Sequence, residues 1–309
     1  MDPLREPGRR VLFVVAPAEF SPSTTVRVRQ YFDRLRAMGI QPHEMPYTSP
    51  TRERWYQQLI PGDRRIRNGA VRHAARVVLK AFNLAYSGWR QVQLAVVARR
   101  YDAIYVQYVL PPRWLVRLLA WRGTRLVYDF DDAVFLRHPA RARAIVSAAW
   151  RVIPGSHFNL EFALRHNARS RLVPSAVPVE LYSPDPAPAR AGEPVRIGWI
   201  GSPSTLGYLD AVAAPLRRIH ARGVPIELIV AGARDRTDLL PDVGDVPIRC
   251  IPSYTAADLP AIVRSLDIGL MPLTDGPWER GKCAMKALVY LAGARAAVCS
   301  PVGETLYVI

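Results

Sequence analysis

The stretch Pro174-Ser-Ala-Val-Pro-Val-Glu-Leu-Tyr-Ser-Pro-Asp-Pro-Ala-Pro-Ala-Arg-Ala-Gly-Glu-Pro194, followed directly by Val195-Arg-Ile-Gly-Trp-Ile200, decides how this chain folds. Six prolines and almost no hydrophobic periodicity predict a linker, and the apolar run after it predicts a strand that starts a new unit. Downstream, a helix over 204–221, strands over 226–231 and 246–251, and a helix over 256–265 opened by a Thr255-x-x-Asp258 capping box are expected. A strand over 267–271, a helix from about 279 to 292 and a strand over 296–299 complete that half. Upstream, residues 10–17 predict a strand, residues 21–25 a Ser/Pro/Thr loop, and residues 26–38 a helix stopped by Gly39. Strands over 41–46, 103–107, 125–128, 151–153 and 171–173 follow, with helical stretches between them. Strands alternating with helices on both sides of the linker predict two Rossmann-like α/β domains, residues 1–176 and 195–309, joined by residues 177–194. Open α/β sheets bind ligands at the carboxyl ends of their strands, so a cleft faced by both domains is the expected site.

With 309 residues, half of them hydrophobic, the chain can bury the cores such domains need. The apolar run 11–16 is too short for a signal sequence or a membrane span, which implies residence in the cytoplasm. Three cysteines without Cys-x-x-Cys spacing and six scattered histidines suggest neither a disulfide framework nor a metal centre.

The net charge of +16 is concentrated in residues 51–125, where fifteen Arg or Lys stand against Glu53, Asp63 and Asp102. There Val71, Ala75, Val78, Phe82, Ala85, Trp89, Val92 and Val96 recur at helical spacing, with Arg72, Arg76, Lys80 and Arg90 off that stripe. Three readings are open: a stripe packed on its own domain with solvated arginines, a surface for anionic lipid, or a binder of phosphate backbones. Trp55, Trp89, Trp114 and Trp121 favour lipid over nucleic acid, for which no recognisable module is present. A peripheral position at the inner face of a membrane is the corresponding expectation.

Two groups of residues carry chemistry. Gly198-Trp-Ile-Gly201-Ser202 ends the first strand of the second half, where backbone N–H groups could approach a phosphate; alone this is a weak signal, and a purely structural glycine turn is the commoner reading of such residues. Near the end stand Asp267-Ile-Gly-Leu-Met-Pro-Leu273, Trp278-Glu-Arg-Gly-Lys-Cys-Ala-Met-Lys-Ala-Leu-Val-Tyr-Leu-Ala292 and Ser300-Pro-Val-Gly-Glu304. Arg280, Lys282 and Lys286 would lie at the start and first turns of a helix, where cations and free N–H groups suit a diphosphate; a solvated basic helix start is the competing reading. In the first half, Asp129, Asp131 and Asp132 crowd the end of a strand, and something must hold three carboxylates there. Arg27 and Arg29 could reach the same edge, as could Ser156 and His157.

These motifs resemble the donor-binding half of family-4, retaining, GT-B-fold glycosyltransferases. The resemblance extends upstream through Tyr101-Asp-Ala-Ile-Tyr-Val-Gln107, Leu126-Val-Tyr-Asp-Phe-Asp-Asp-Ala-Val-Phe135, Val152-Ile-Pro-Gly-Ser156 and Val173-Pro-Ser-Ala-Val-Pro178, so it covers nearly the whole chain. It implies a nucleoside-diphosphate sugar as donor substrate, no other cofactor, no bound metal, and a glycan or lipid-linked envelope precursor as acceptor. It further implies that Gly201, Ser202, Arg280, Lys282, Lys286, Gly303 and Glu304 line the donor pocket. Of the carboxylates, Asp131 stands where many members place a histidine, which favours an acceptor-positioning or acid/base role; a metal-binding D-x-D pair and a solvated turn are the other readings. The family's two glutamates spaced eight apart would fall at Gly281 and Val289, with basic residues in their place, and its Gly-x-Pro-Val-Val run is here Ala294-Arg-Ala-Ala-Val298. Against the family pattern, further strand and helices are expected beyond residue 309; a non-catalytic nucleotide-sugar-binding remnant is the alternative that this implies.

Overall fold

The computed structural model describes residues 8–17, 21–51, 69–182, 192–234 and 236–309. The chain divides between Ser175 and Ala176 into two compact units, each built on one fully parallel five-stranded sheet. In the first, β1 (Arg9–Val15), β2 (Ile40–Pro46), β3 (Ala103–Gln107), β4 (Leu126–Phe130) and β5 (Arg151–Pro154) lie in the order β2-β1-β3-β4-β5. In the second, β6 (Val195–Ile200), β7 (Ile226–Ala231), β8 (Ile248–Ile251), β9 (Ile268–Met271) and β10 (Ala296–Cys299) lie in the order β10-β9-β6-β7-β8. Parallel strands covered on both faces read as continuous apolar runs rather than alternating ones. Accordingly Leu12 to Val15 of β1 are all buried, as are Leu228 to Ala231 of β7.

Each sheet has one place where consecutive strands leave in opposite directions: between β1 and β3 in the first, between β6 and β9 in the second. At such a switch point the following loops diverge and open a crevice at the carboxyl ends of the strands. In the second sheet β6 and β9 pair only at Ile197–Ile268 and Gly198–Gly269 and then splay. The buried hydroxyl of Tyr290 fills the gap, accepting from Ile200 N and donating to Leu270 O, each at 3.2 Å.

Four expectations change. Residues 26–38 do not form one helix: a turn of helix begins earlier, over Pro22–Arg27, breaks at Val28, and resumes over Phe32–Ala37. The proline at the first helical position favours that earlier start. Residues 171–173 add no strand; Arg171 N and Val173 N bond to Val152 O and Pro154 O, but the Val173 carbonyl accepts from Arg27. The helix expected over 279–292 is two pieces, Pro277–Arg280 and Met285–Ala292, interrupted by Gly281 and by Ala284 in the left-handed region at φ 52°.

The fourth change concerns the long helix Gly69–Val97, whose apolar stripe points outward, against the one of its three readings that packed it on its own domain. Val78 is 64% and Trp89 65% exposed, and Phe82, Val92 and Val96 are exposed as well. The seam that packs is the opposite one, through Leu79 and Leu94, fastened by Arg90 Nε donating to Pro46 O at 2.7 Å. A helix with apolar residues on most of its circumference offers two stripes of the same period, and periodicity cannot choose between them. Trp55 and the rest of residues 52–68 lie outside the described residues.

Candidate functional site

At the switch point of the first sheet, the loop and helical turn after β1 meet the ends of β3 and β4 in a buried polar network. Arg27 donates from Nε to Asp129 Oδ1 at 2.6 Å and from Nη2 to Asp129 Oδ2 at 3.0 Å, a two-point pairing. The same guanidinium reaches Ser175 Oγ at 3.1 Å and Val173 O at 3.0 Å, and the Tyr105 hydroxyl adds a further bond to Asp129 Oδ2. Asp129 is 1% exposed. Burial works against the charge on Arg27, but the field of Asp129 overcomes it and the guanidinium pKa rises further. Burial likewise lifts the Asp129 carboxyl above its ordinary value, with Arg27 and Tyr105 pulling against that shift. Arg27 is thus no cation poised for a ligand; it is what holds the carboxylate cluster in place. Both oxygens of Asp129 are thus engaged within this network.

Asp131 differs. It is 7% exposed; its Oδ2 accepts from Ser23 Oγ, which in turn accepts from Gln107 Nε2 at 2.6 Å. Its other oxygen, Oδ1, is buried without a hydrogen-bond partner. A buried carboxylate oxygen left unsatisfied costs free energy that a ligand hydroxyl can recover. Gly155 makes room for this arrangement, since a Cβ there would stand 3.1 Å from both Arg27 Nη1 and Asp131 Cα. Tyr108, beside it at the end of β3, adopts φ 65°, outside the ordinary region for a non-glycine residue. Arg29 leaves the edge altogether and pairs with Glu44 at 2.7 Å. Ser156 caps the helix His157–Leu164 by accepting from Asn159 N, while His157 is that helix's first residue. Among the described residues no three His, Cys, Asp or Glu side chains converge to hold a metal ion.

At the switch point of the second sheet, the loop after β6 and the helix after β9 close on one another through Trp199. A Cβ on Gly201 would stand 2.2 Å from the Trp199 ring, so the loop follows the ring at a distance only glycine permits. On that ring rests Lys286, its Nζ 4.5 Å from the centroid, in the first turn of the helix Met285–Ala292. Tyr254 donates to Gly201 O at 3.1 Å and fixes the loop from the other side. Ser202 begins a capped turn with Thr205, and Tyr208 at the end of that turn bonds Glu279. Gly303, at φ 59°, lies against the backbone of Arg280, where a Cβ would meet Arg280 O at 2.5 Å; Glu304 beside it is buried. Gly201, Ser202, Lys286, Gly303 and Glu304 therefore belong to one edge, the carboxyl ends of β6, β9 and β10.

The three cations foreseen there are unequal. Arg280 is exposed and held at two points by Asp275, at 2.7 and 3.0 Å. Lys282 lies in the break between the two helical pieces, 5.8 Å from the Trp278 ring centroid. Lys286 is the group under electrostatic stress: burial first, and then the neighbouring charge of Lys282, push its pKa down to about 7. A cation in the first turn of a helix also sits at the positive end of the helix dipole, where an anion would be favoured. The arrangement suits a multiply charged anion. Trp199, Tyr254 and Tyr290 were not foreseen as parts of it; Gly198-Trp-Ile-Gly201 and the tyrosine four residues after Lys286 were their signals.

No protein-family model and no curated protein matches the sequence. Solved structures nevertheless align with nearly all of it. A glycosyltransferase from Rickettsia africae covers 97% of this chain and 81% of its own, at 12% identity and TM-score 0.61. The catalytic domain of starch synthase IV from Arabidopsis thaliana, bound to ADP and acarbose, covers 97% and 84%, at 10% identity and TM-score 0.62. Anabaena HepE in complex with UDP and glucose covers 97% and 83%, at 14% identity and TM-score 0.58. At such identities the likeness is one of fold: two Rossmann-like domains with parallel five-stranded sheets, the GT-B class found in glycosyltransferases.

Proposed function

We propose that the protein is a retaining glycosyltransferase of the family-4 type, moving a sugar from a nucleoside-diphosphate sugar onto a glycan or lipid-linked acceptor. The observation that carries this reading is Lys286: a cation in the first turn of a helix at a switch point, stacked on Trp199, whose charged neighbour is a second cation. A donor's diphosphate would relieve that stress, with Lys282 and the backbone of Gly201 and Ser202 completing the seat. As the bond from the anomeric carbon to the diphosphate breaks, these groups would stabilise the negative charge on the leaving group. Gly303 and Glu304 would line the sugar side. In the first domain, Asp131 with its unsatisfied Oδ1 is the carboxylate we assign to positioning the acceptor hydroxyl or receiving its proton. Asp132, next in sequence, shares the loop; Asp129 serves structure. Support for a nucleotide donor comes from HepE, whose complex holds UDP, and from starch synthase IV, whose complex holds ADP.

The test is release of nucleoside diphosphate from a panel of sugar nucleotides, with and without chelator, together with calorimetry on the free diphosphates. Turnover that survives chelation is expected. Absence of release with every donor rejects catalysis, and binding without release would make the chain a nucleotide-sugar-binding protein.

A further inference from the structure

The exposed side of the helix Gly69–Val97 carries none of the residues assigned to sugar transfer, yet it is broadly apolar. Ala74, Val77, Val78, Ala81, Phe82, Leu84, Ala85, Trp89, Val92 and Val96 all face solvent, and on a helical wheel they fill an arc of about 160°. From Ala74 to Val96 that arc runs about 33 Å at 1.5 Å per residue. One edge of it carries Lys80, with His73 beside it, both exposed; Arg76, exposed as well, lies further round the helix, at the wheel angle of Leu94. No aspartate or glutamate occurs between Asp63 and Asp102, so nothing neutralises that edge from within the helix. The helix is held to its domain from the other side by Leu79, Leu94 and Arg90, and Arg122 Nη1 donates to Ala95 O at 2.6 Å. The helix Arg113–Trp121, which packs beside it, exposes Trp114 and, at 80%, Trp121.

We infer that this surface docks on an anionic lipid bilayer, with the apolar arc seated in the interface and the cationic edge against the headgroups. Monomeric proteins rarely leave so long an apolar strip in water. A helix with a broad apolar face, tryptophan on it and basic residues at its margin lies in the plane of a membrane rather than across it. Among the described residues no helix is long and apolar enough to span one. A second copy would bring the same positive edge, on a chain of net charge +16, against the first. Nucleic acid would use the cations and leave the arc exposed. The surface stands whether or not the chain transfers sugar, since none of its residues belongs to either switch point.

Sedimentation of the full chain with phosphatidylcholine vesicles, with and without phosphatidylglycerol, at low and high salt decides the matter. Binding is expected on the anionic vesicles only, weakening as salt rises. Arg76→Glu with Lys80→Glu should lower partitioning by at least about thirty-fold, from about 1 kcal/mol for each basic residue lost near the surface. Trp89→Asp with Val96→Asp should abolish it. Both pairs are exposed, so melting temperature should hold; should the aspartate pair unfold, Trp89→Gln with Val96→Thr gives the same reading at smaller amplitude. Failure of the native chain to sediment, or equal sedimentation of the apolar variants, overturns the proposal. So does a concentration-dependent dimer that the apolar variants abolish in place of vesicle binding, or capture by an oligonucleotide that those variants retain.

Discussion

The two switch points differ in how far their charges are satisfied, and the difference separates a structural group from a binding one. In the first sheet Arg27 finds Asp129, Ser175 and the Val173 carbonyl, and Asp129 finds Arg27 and Tyr105. Each charge has a neighbour of opposite sign, and the cluster closes on itself apart from Asp131 Oδ1. In the second sheet Lys286 has the face of an indole and a second ammonium, and its pKa falls to about 7. A closed pair stabilises the folded chain only while both partners remain, because either alone is a buried, uncompensated charge. An uncompensated cation costs stability in the empty protein, and an incoming anion returns it. The contrast teaches that strongly shifted groups are not equivalent signs of function; the sign of the neighbours decides.

The largest effect expected from this contrast is at the closed pair. Arg27→Met should cost about 3–5 kcal/mol in urea unfolding by stranding Asp129, and adding Asp129→Leu should recover much of that. Without the recovery, the pair is not the simple clamp described. At the open cation the effects should split: Lys286→Met should weaken binding of a nucleoside diphosphate by about 10- to 100-fold, while raising the melting temperature of the empty protein by about 2–4 °C. A fall in both would place Lys286 in the fold rather than the site. Gly201→Ala, which drives a methyl into the Trp199 ring, should cost about 1–3 kcal/mol and also diminish binding, read by melting and calorimetry together.

Acidity offers a finer test. A diphosphate bound as proposed would raise the pKa of Lys286, which lies at about 7 without it, so above that pH binding would take up a proton. Affinity should be full below that pH and weaken as pH rises through it, by up to about ten-fold per unit, and Lys286→Met should lose the dependence. In the empty protein the linkage runs the other way. Because the folded pKa lies below the unfolded one, folding expels a proton between about pH 7 and the ordinary lysine range, and stability should rise with pH across that window. The smallest effect belongs to Arg280→Ala, whose exposed pairing with Asp275 should contribute less than about 0.5 kcal/mol to stability.

Much of the fold was legible because parallel strands announce themselves as short apolar runs ending in glycine, as in Val195 to Gly201 and Ile226 to Gly232. The break at Ala284 was not legible, since nothing local requires an alanine to adopt the left-handed region there. Nor was the outward face of the helix Gly69–Val97: Leu79 and Phe82 are equally apolar, and only the body beneath the helix selects which is covered. The site was visible as residue types, glycine loop, lysines and carboxylates, but not as roles. Arg27 and Asp129 are 102 positions apart, and nothing local in the sequence shows that they pair with one another.

The amino-acid order by itself determined two α/β units, the Pro-rich passage between their strands, and the excess of positive charge in one region. These follow from local terms, the period of apolar residues, the stiffness of proline and the freedom of glycine, which act within a few residues of one another. Only the tertiary structure decided which charges are matched and which are left waiting, because compensation depends on distance through space. A side chain's neighbours there come from strands far apart in the chain.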